Sequence, residues 1–96
     1  MIFSSKVKAL RKERSILQRD IAEALSIDTP MYSRFERGER RMREEHVRRL
    51  ANFYKIDPEP LLKLWLAEKV YSVIENSDSP REILRIVEEA LPDYGK

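Results

Sequence analysis

The 96-residue sequence has no cysteine, only two glycines and a single histidine. Without cysteine it forms neither a disulfide nor a cysteine-based zinc site, and nothing points to an oxidising compartment. Two glycines are too few for a phosphate-cradling glycine-rich loop. The lone His46, beside Glu44 and Glu45, reads as a surface side chain rather than a metal ligand or catalytic base. Glu44/Glu45 and Glu88/Glu89 are adjacent pairs that diverge on a helix, so they do not converge on one bond as paired catalytic carboxylates do. No enzymatic activity, metal or cofactor is therefore expected. Long apolar runs are missing too: Leu61 to Leu66 is short and broken by Lys63. Neither a membrane anchor nor an export signal is expected, and the default setting is the cytoplasm. β-Alternation and internal repeats are equally absent.

What is present suits one small domain with a heavily charged surface: 42% hydrophobic and 38% charged residues. The net charge of +2 conceals an asymmetry. Residues 1–50 carry 13 Lys/Arg against 8 Asp/Glu, and residues 51–96 carry 6 against 9, so a polyanion is drawn to the first half.

Apolar spacing predicts a chain of helices. Val7 and Leu10 mark a first helix over 5–14, with Ser4 or Ser5 placed to cap it. Ile21, Ala22 and Leu25 mark a second from 17 or 18 to 25. After the tight connection Ser26-Ile27-Asp28, Asp28 or Thr29 caps a third over 29–37, with Pro30 in its first turn and Gly38 as its left-handed stop. Tyr32 and Phe35 form its inner face. A basic loop over 39–43 leads to a fourth helix over 44–54, built on Val47, Leu50, Ala51 and Tyr54. A fifth starts at Asp57-Pro58 and carries the stripe Leu62, Leu66, Val70 and Val73 or Ile74. Ser79-Pro80 announces a last helix with Ile83, Ile86, Val87 and Ala90 on one face, ended by Pro92 and Gly95.

The segment 18–37 has the proportions of a helix-turn-helix, two short helices joined by about three residues. With Gln18 opening helix two, small Ala22, the inner residues Ile27, Tyr32 and Phe35, and the run Arg34-Phe35-Glu36-Arg37-Gly38, it resembles the lambda-repressor-like, Cro/C1-type regulators, the xenobiotic-response-element family. The resemblance covers residues 4–66. Ser26 replaces the usual turn glycine and must accept a left-handed conformation or a different turn. Pro30 stands where many relatives have a polar side chain, and offers only apolar contact.

The resemblance implies an all-α fold, a compact five-helix lambda-repressor-like DNA-binding domain over 1–66; the apolar spacing beyond it adds a C-terminal helical extension over 67–96, expected to be a dimerisation element packed on the same core. The resemblance also implies a sequence-specific transcriptional regulator, expected to be a repressor, that acts on double-stranded DNA in the cytoplasm, at the nucleoid. Recognition helix 29–37 then offers Thr29, Pro30, Met31, Ser33 and Arg34 to bases. Arg34 is suited to guanine O6 and N7, a contact worth roughly 1–3 kcal/mol of discrimination. Gln18, Arg19, Arg37, Arg40, Arg41 and Arg43 are expected to bind phosphate, and Arg11 is expected to pair with Glu36. Taken alone the arginine cluster would be a solvated face; its place beside the motif favours DNA.

The apolar stripe of helix five outruns such a domain. Trp65, Leu66, Val70 and Val73 with Ile83, Ile86 and Val87 are expected to form a homodimer matching two half-sites. Alternatives are an antitoxin whose C-terminal region masks a toxin, a phage-type repressor, a restriction-modification controller, and a helical protein-interaction module without specific DNA binding. The controller is suggested because Leu64-Trp65-Leu66-Ala67-Glu68-Lys69-Val70 resembles compact regulators found beside DNA methyltransferase genes.

Overall fold

A computed structural model describes residues 2–93, and among them it contains six helices and no strand: α1 (Ile2–Glu13), α2 (Gln18–Ala24), α3 (Thr29–Glu36), α4 (Glu44–Tyr54), α5 (Pro58–Ile74) and α6 (Pro80–Ala90). Gly95, expected to help close the last helix, lies outside the described residues. Among the described residues no helix is long and apolar enough to cross a membrane.

The local signals act as the sequence predicts at most boundaries. Asp28 caps α3 by accepting the Met31 N–H at 2.8 Å, and Pro30 sits in the first turn, where its missing N–H costs no helical bond. Asp57 caps α5 in the same way, accepting from the Glu59 N–H at 3.1 Å. Gly38 has φ 73°, the left-handed stop after α3, and Ser26 takes φ 59°, so the turn keeps its left-handed residue without glycine. Helix α1 departs from expectation. It begins a turn earlier because Phe3 extends the Val7 and Leu10 stripe into the core, and Ser4 is buried inside that turn instead of capping it.

Five helices surround a single core. Phe3, Val7 and Leu10 from α1 meet Ile21 and Ala22 from α2, Tyr32 and Phe35 from α3, Val47, Leu50, Ala51 and Tyr54 from α4, and Leu61 and Leu62 from α5, with Leu25 and Met42 from the connections. Each such large side chain contributes about 1.5–3 kcal/mol by leaving water. The packed pairs are α2 with α3, α4 with α5, α1 with α5, α1 with α3 and α2 with α4. The recognition-type pair α2–α3 is thus fixed from behind by α1 and α4.

The C-terminal third differs from the sequence reading. Helix α5 runs without a break through residue 66, so the five-helix unit and the extension share one helix. Its buried residues are Leu61, Leu62, Glu68 and Ile74, while Leu66, Val70 and Val73 face outward. Helix α6, expected to pack on the same core, instead buries none of its residues and belongs to none of the packed pairs. Ile83 is half-buried, and the rest of the helix's apolar face, Ile86 and Val87, is open. The radius of gyration, 15.3 Å, accordingly exceeds the roughly 12–13 Å of a compact chain this long.

Candidate nucleic-acid interface

The outer face of α3 is presented by its inner face. Tyr32 and Phe35 lie in the core, and a helix that buries one side at 3.6 residues per turn must turn the intervening positions out. Pro30, Arg34 and Arg37 are exposed, and Thr29, Met31 and Ser33 are half-buried. Of the five expected base-contacting residues, Pro30 and Arg34 therefore share the outer side with Arg37, Thr29 and Ser33 flank it, and Met31 packs against the core.

A polar network behind this surface fixes the helix angle. The Arg11 guanidinium donates from Nε to Glu36 Oε2 at 2.5 Å and from Nη2 to Glu36 Oε1 at 3.0 Å, while its Nη1 donates to the Ile16 carbonyl at 3.1 Å. Gln18 Nε2 donates to Glu36 Oε1 at 3.0 Å. One buried carboxylate thus ties α1, the entry to α2 and the end of α3 together. Burial pushes the Glu36 carboxyl up, but the donors from Arg11 and Gln18 outweigh it and hold the group below the usual carboxylate range. The bond to Glu36 in turn raises the Arg11 guanidinium. Burial raises the hydroxyl of Tyr32, in the same layer, far above its ordinary value.

The expected phosphate-binding residues sit in three settings. Arg19 on α2 and Arg40 in the loop are exposed. Arg37 is also exposed but engaged: it forks onto Glu39, Nε to Oε2 at 2.8 Å and Nη2 to Oε1 at 3.2 Å, and donates to Ser33 Oγ. Arg41 and Arg43 belong to a loop held at several points. Met42 is buried, the Trp65 Nε1 donates to the Met42 carbonyl at 2.9 Å, and Arg41 Nη2 donates to the Trp65 carbonyl at 3.1 Å with its guanidinium 5.5 Å from the indole centroid. Arg43 stands at the N-cap of α4, near Glu45 at 3.9 Å. Gln18, also expected to reach phosphate, is half-buried against Glu36.

Two residues to which the sequence assigned no role help shape this loop. His46 is half-buried rather than a bare surface residue: its ring lies 5.4 Å from that of Phe35, and its Nδ1 accepts the Arg43 N–H at 3.1 Å. Its place at the third helical position of α4, where a side chain can reach back to the cap, is the signal that would have found it. Met42, which reads in the sequence only as part of a basic loop, is the apolar peg that holds that loop to the core. The residues expected at a dimer face are divided. Leu66, Val70, Val73, Ile86 and Val87 are exposed and Ile83 is half-buried, whereas Trp65 packs against the core.

Comparison with known proteins agrees with this geometry. The model of the helix-turn-helix family matches residues 7–61, from α1 into the start of α5. The chain is 34% identical over 98 residues to the cryptic phage CTXphi transcriptional repressor RstR of Vibrio cholerae, an alignment covering 94% of this chain and 87% of that relative. No solved structure matches the chain.

Proposed function

The chain belongs to the helix-turn-helix family, of Cro/C1 type, and on that premise we propose that it is a transcriptional repressor that seats α3 in the major groove of a two-fold-symmetric operator. The observation that carries this reading is the outer surface of α3, where Arg34 stands among Thr29, Pro30, Met31 and Ser33 on a helix braced from behind by Glu36. Arg34 reads a base pair by its two-pronged donor geometry, and Thr29, Met31 and Ser33 complete the contact with bases or thymine methyl groups. Arg19, Arg37, Arg40, Arg41 and Arg43 flank the groove and supply sequence-independent affinity through phosphates. A relative that is a phage transcriptional repressor supports repression over the other regulatory roles. The protein acts without catalysis or cofactor, in the cytoplasm on nucleoid DNA.

The active unit in this reading is a homodimer. Leu66, Val70 and Val73 on α5 and Ile86 and Val87 on α6 leave an apolar surface open to water, and a second copy of the chain covers it. Two copies related by a two-fold axis present two α3 helices about one DNA turn apart.

Selection of bound sequences from a random duplex library at near-physiological salt tests the proposal, because low-salt binding mainly reports charge. A two-fold-symmetric consensus is the expected result. Binding without any enriched sequence would sink specific readout.

A further inference from the structure

A cavity of about 190 Å³ opens behind the loop that follows α3, between the start of α1, that loop and the middle of α5. Its apolar walls are Phe3, Phe35, Met42 and Trp65, and of the polar side chains that line it, Ser4 and Glu68 are the buried ones, whereas Arg40, Arg41 and Ser72 are exposed. Ser4 and Glu68 are 5% and 6% exposed respectively. Among the described residues Glu68 makes no hydrogen bond or ion pair. The Glu68 carboxylate thus faces the cavity with its acceptor oxygens open to a ligand, and one that brings a cationic donor gains a charge-assisted hydrogen bond there. Phe3 and Phe35, in the same lining, favour the same charge, since aromatic faces are electron-rich.

The basic residues nearby do not fill this role. Arg40 and Arg41 also line the cavity but are exposed, and Arg41 is turned onto the Trp65 carbonyl and ring. Lys69 lies 6.0 Å from the centroid of the same ring. Trp65, Glu68 and Ser72 all line the cavity at spacings that share one face of α5, whereas Leu66, Val70 and Val73 share another. The cavity is thus separate from the apolar surface assigned to the dimer, and it lies behind α3 rather than on its outer side.

We propose that this cavity is a binding site for a small organic monocation, an ammonium group on an apolar body about one ring in size, held by Glu68 and Ser4 between Phe3, Phe35 and Trp65. The size follows from the volume, since a cavity of roughly 150 Å³ already accepts benzene. The ammonium donates to the Glu68 carboxylate and the Ser4 hydroxyl, and the ring displaces poorly held water from the apolar walls.

Trp65 is the sole tryptophan, so its fluorescence reports occupancy directly in the full-length protein without DNA. Benzylamine is expected to give a saturable change, with benzyl alcohol and benzoate binding at least about tenfold more weakly because the charge-assisted bond to Glu68 is lost. Glu68→Gln should reduce benzylamine affinity to that of benzyl alcohol. Absence of saturable binding, equal affinity for amine and alcohol, tighter binding of benzoate, or benzylamine affinity unchanged in Glu68→Gln would each overturn the proposal. Should that variant not fold, the three-ligand comparison on the unaltered protein decides alone. Because no DNA is present, the outcome is independent of the repressor reading.

Discussion

Glu36 and Arg11 face each other across 25 residues of sequence in a two-pronged bond, and Gln18 shares one of the two carboxylate oxygens. The pair is nearly sealed, with side-chain exposures of 16% for Arg11 and 3% for Glu36. Its stake is the charge left behind when one partner goes.

Arg11→Ala should therefore destabilise the fold by about 3–5 kcal/mol, because it strands a buried carboxylate. Urea denaturation monitored by circular dichroism measures this. Replacing both partners at once, Arg11→Met with Glu36→Leu, should cost less than Arg11→Ala alone; a cost that simply doubles would contradict a coupled pair.

Arg34 and Arg41 should separate by function. Arg34→Ala is expected to relax base preference at one position in each half-site, at roughly 1–3 kcal/mol, while leaving affinity for random DNA nearly unchanged. Arg41→Ala should weaken binding to all sequences alike and flatten the log–log salt slope by about 0.9 for each phosphate it no longer neutralises. Equal losses on operator and random DNA from Arg34→Ala would remove it from the base-reading role.

The His46 imidazole should make stability depend on pH. Burial lowers its pKa from the ordinary 6.5, and its Nδ1 accepts a backbone N–H that a protonated ring cannot serve. The unfolded chain then binds more protons than the folded one in the window just below 6.5, so stability is complete above that pH and declines as pH falls through the folded value. Denaturation midpoints measured from about pH 7.5 down to about 5.5 should fall less steeply in His46→Asn than in the parent protein; parallel slopes would exclude the histidine as their source.

The open apolar face should carry the dimer. Val73 and Ile86 are 79% and 67% exposed, so Val73→Asp with Ile86→Asp can leave the five-helix core intact. Sedimentation should show the parent protein as a dimer and the double variant as a monomer with unchanged unfolding of the core. A parent protein that stays monomeric at high concentration would refute the dimer.

The helices and their order are legible along the chain, because capping residues, prolines and apolar spacing act within a few residues of one another. Asp28, Pro30 and Gly38 bound α3 wherever the rest of the chain lies, and Tyr32 with Phe35 decide which of its sides turns out. Placement over longer separations comes from tertiary packing. Helix α5 is apolar on several sides, through Leu61, Leu62, Leu64, Trp65 and Leu66, so periodicity alone does not say that Ile74 turns in and Val73 out. The bond from Trp65 to Met42, the seat of His46 on Phe35 and the burial of Glu68 arise only once α1, the loop after α3, α4 and α5 share one core. Helix α6 shows the same division. Its amphipathic pattern is local, but whether that face is covered depends on surfaces the pattern does not contain, and within one chain Ile86 and Val87 stay exposed.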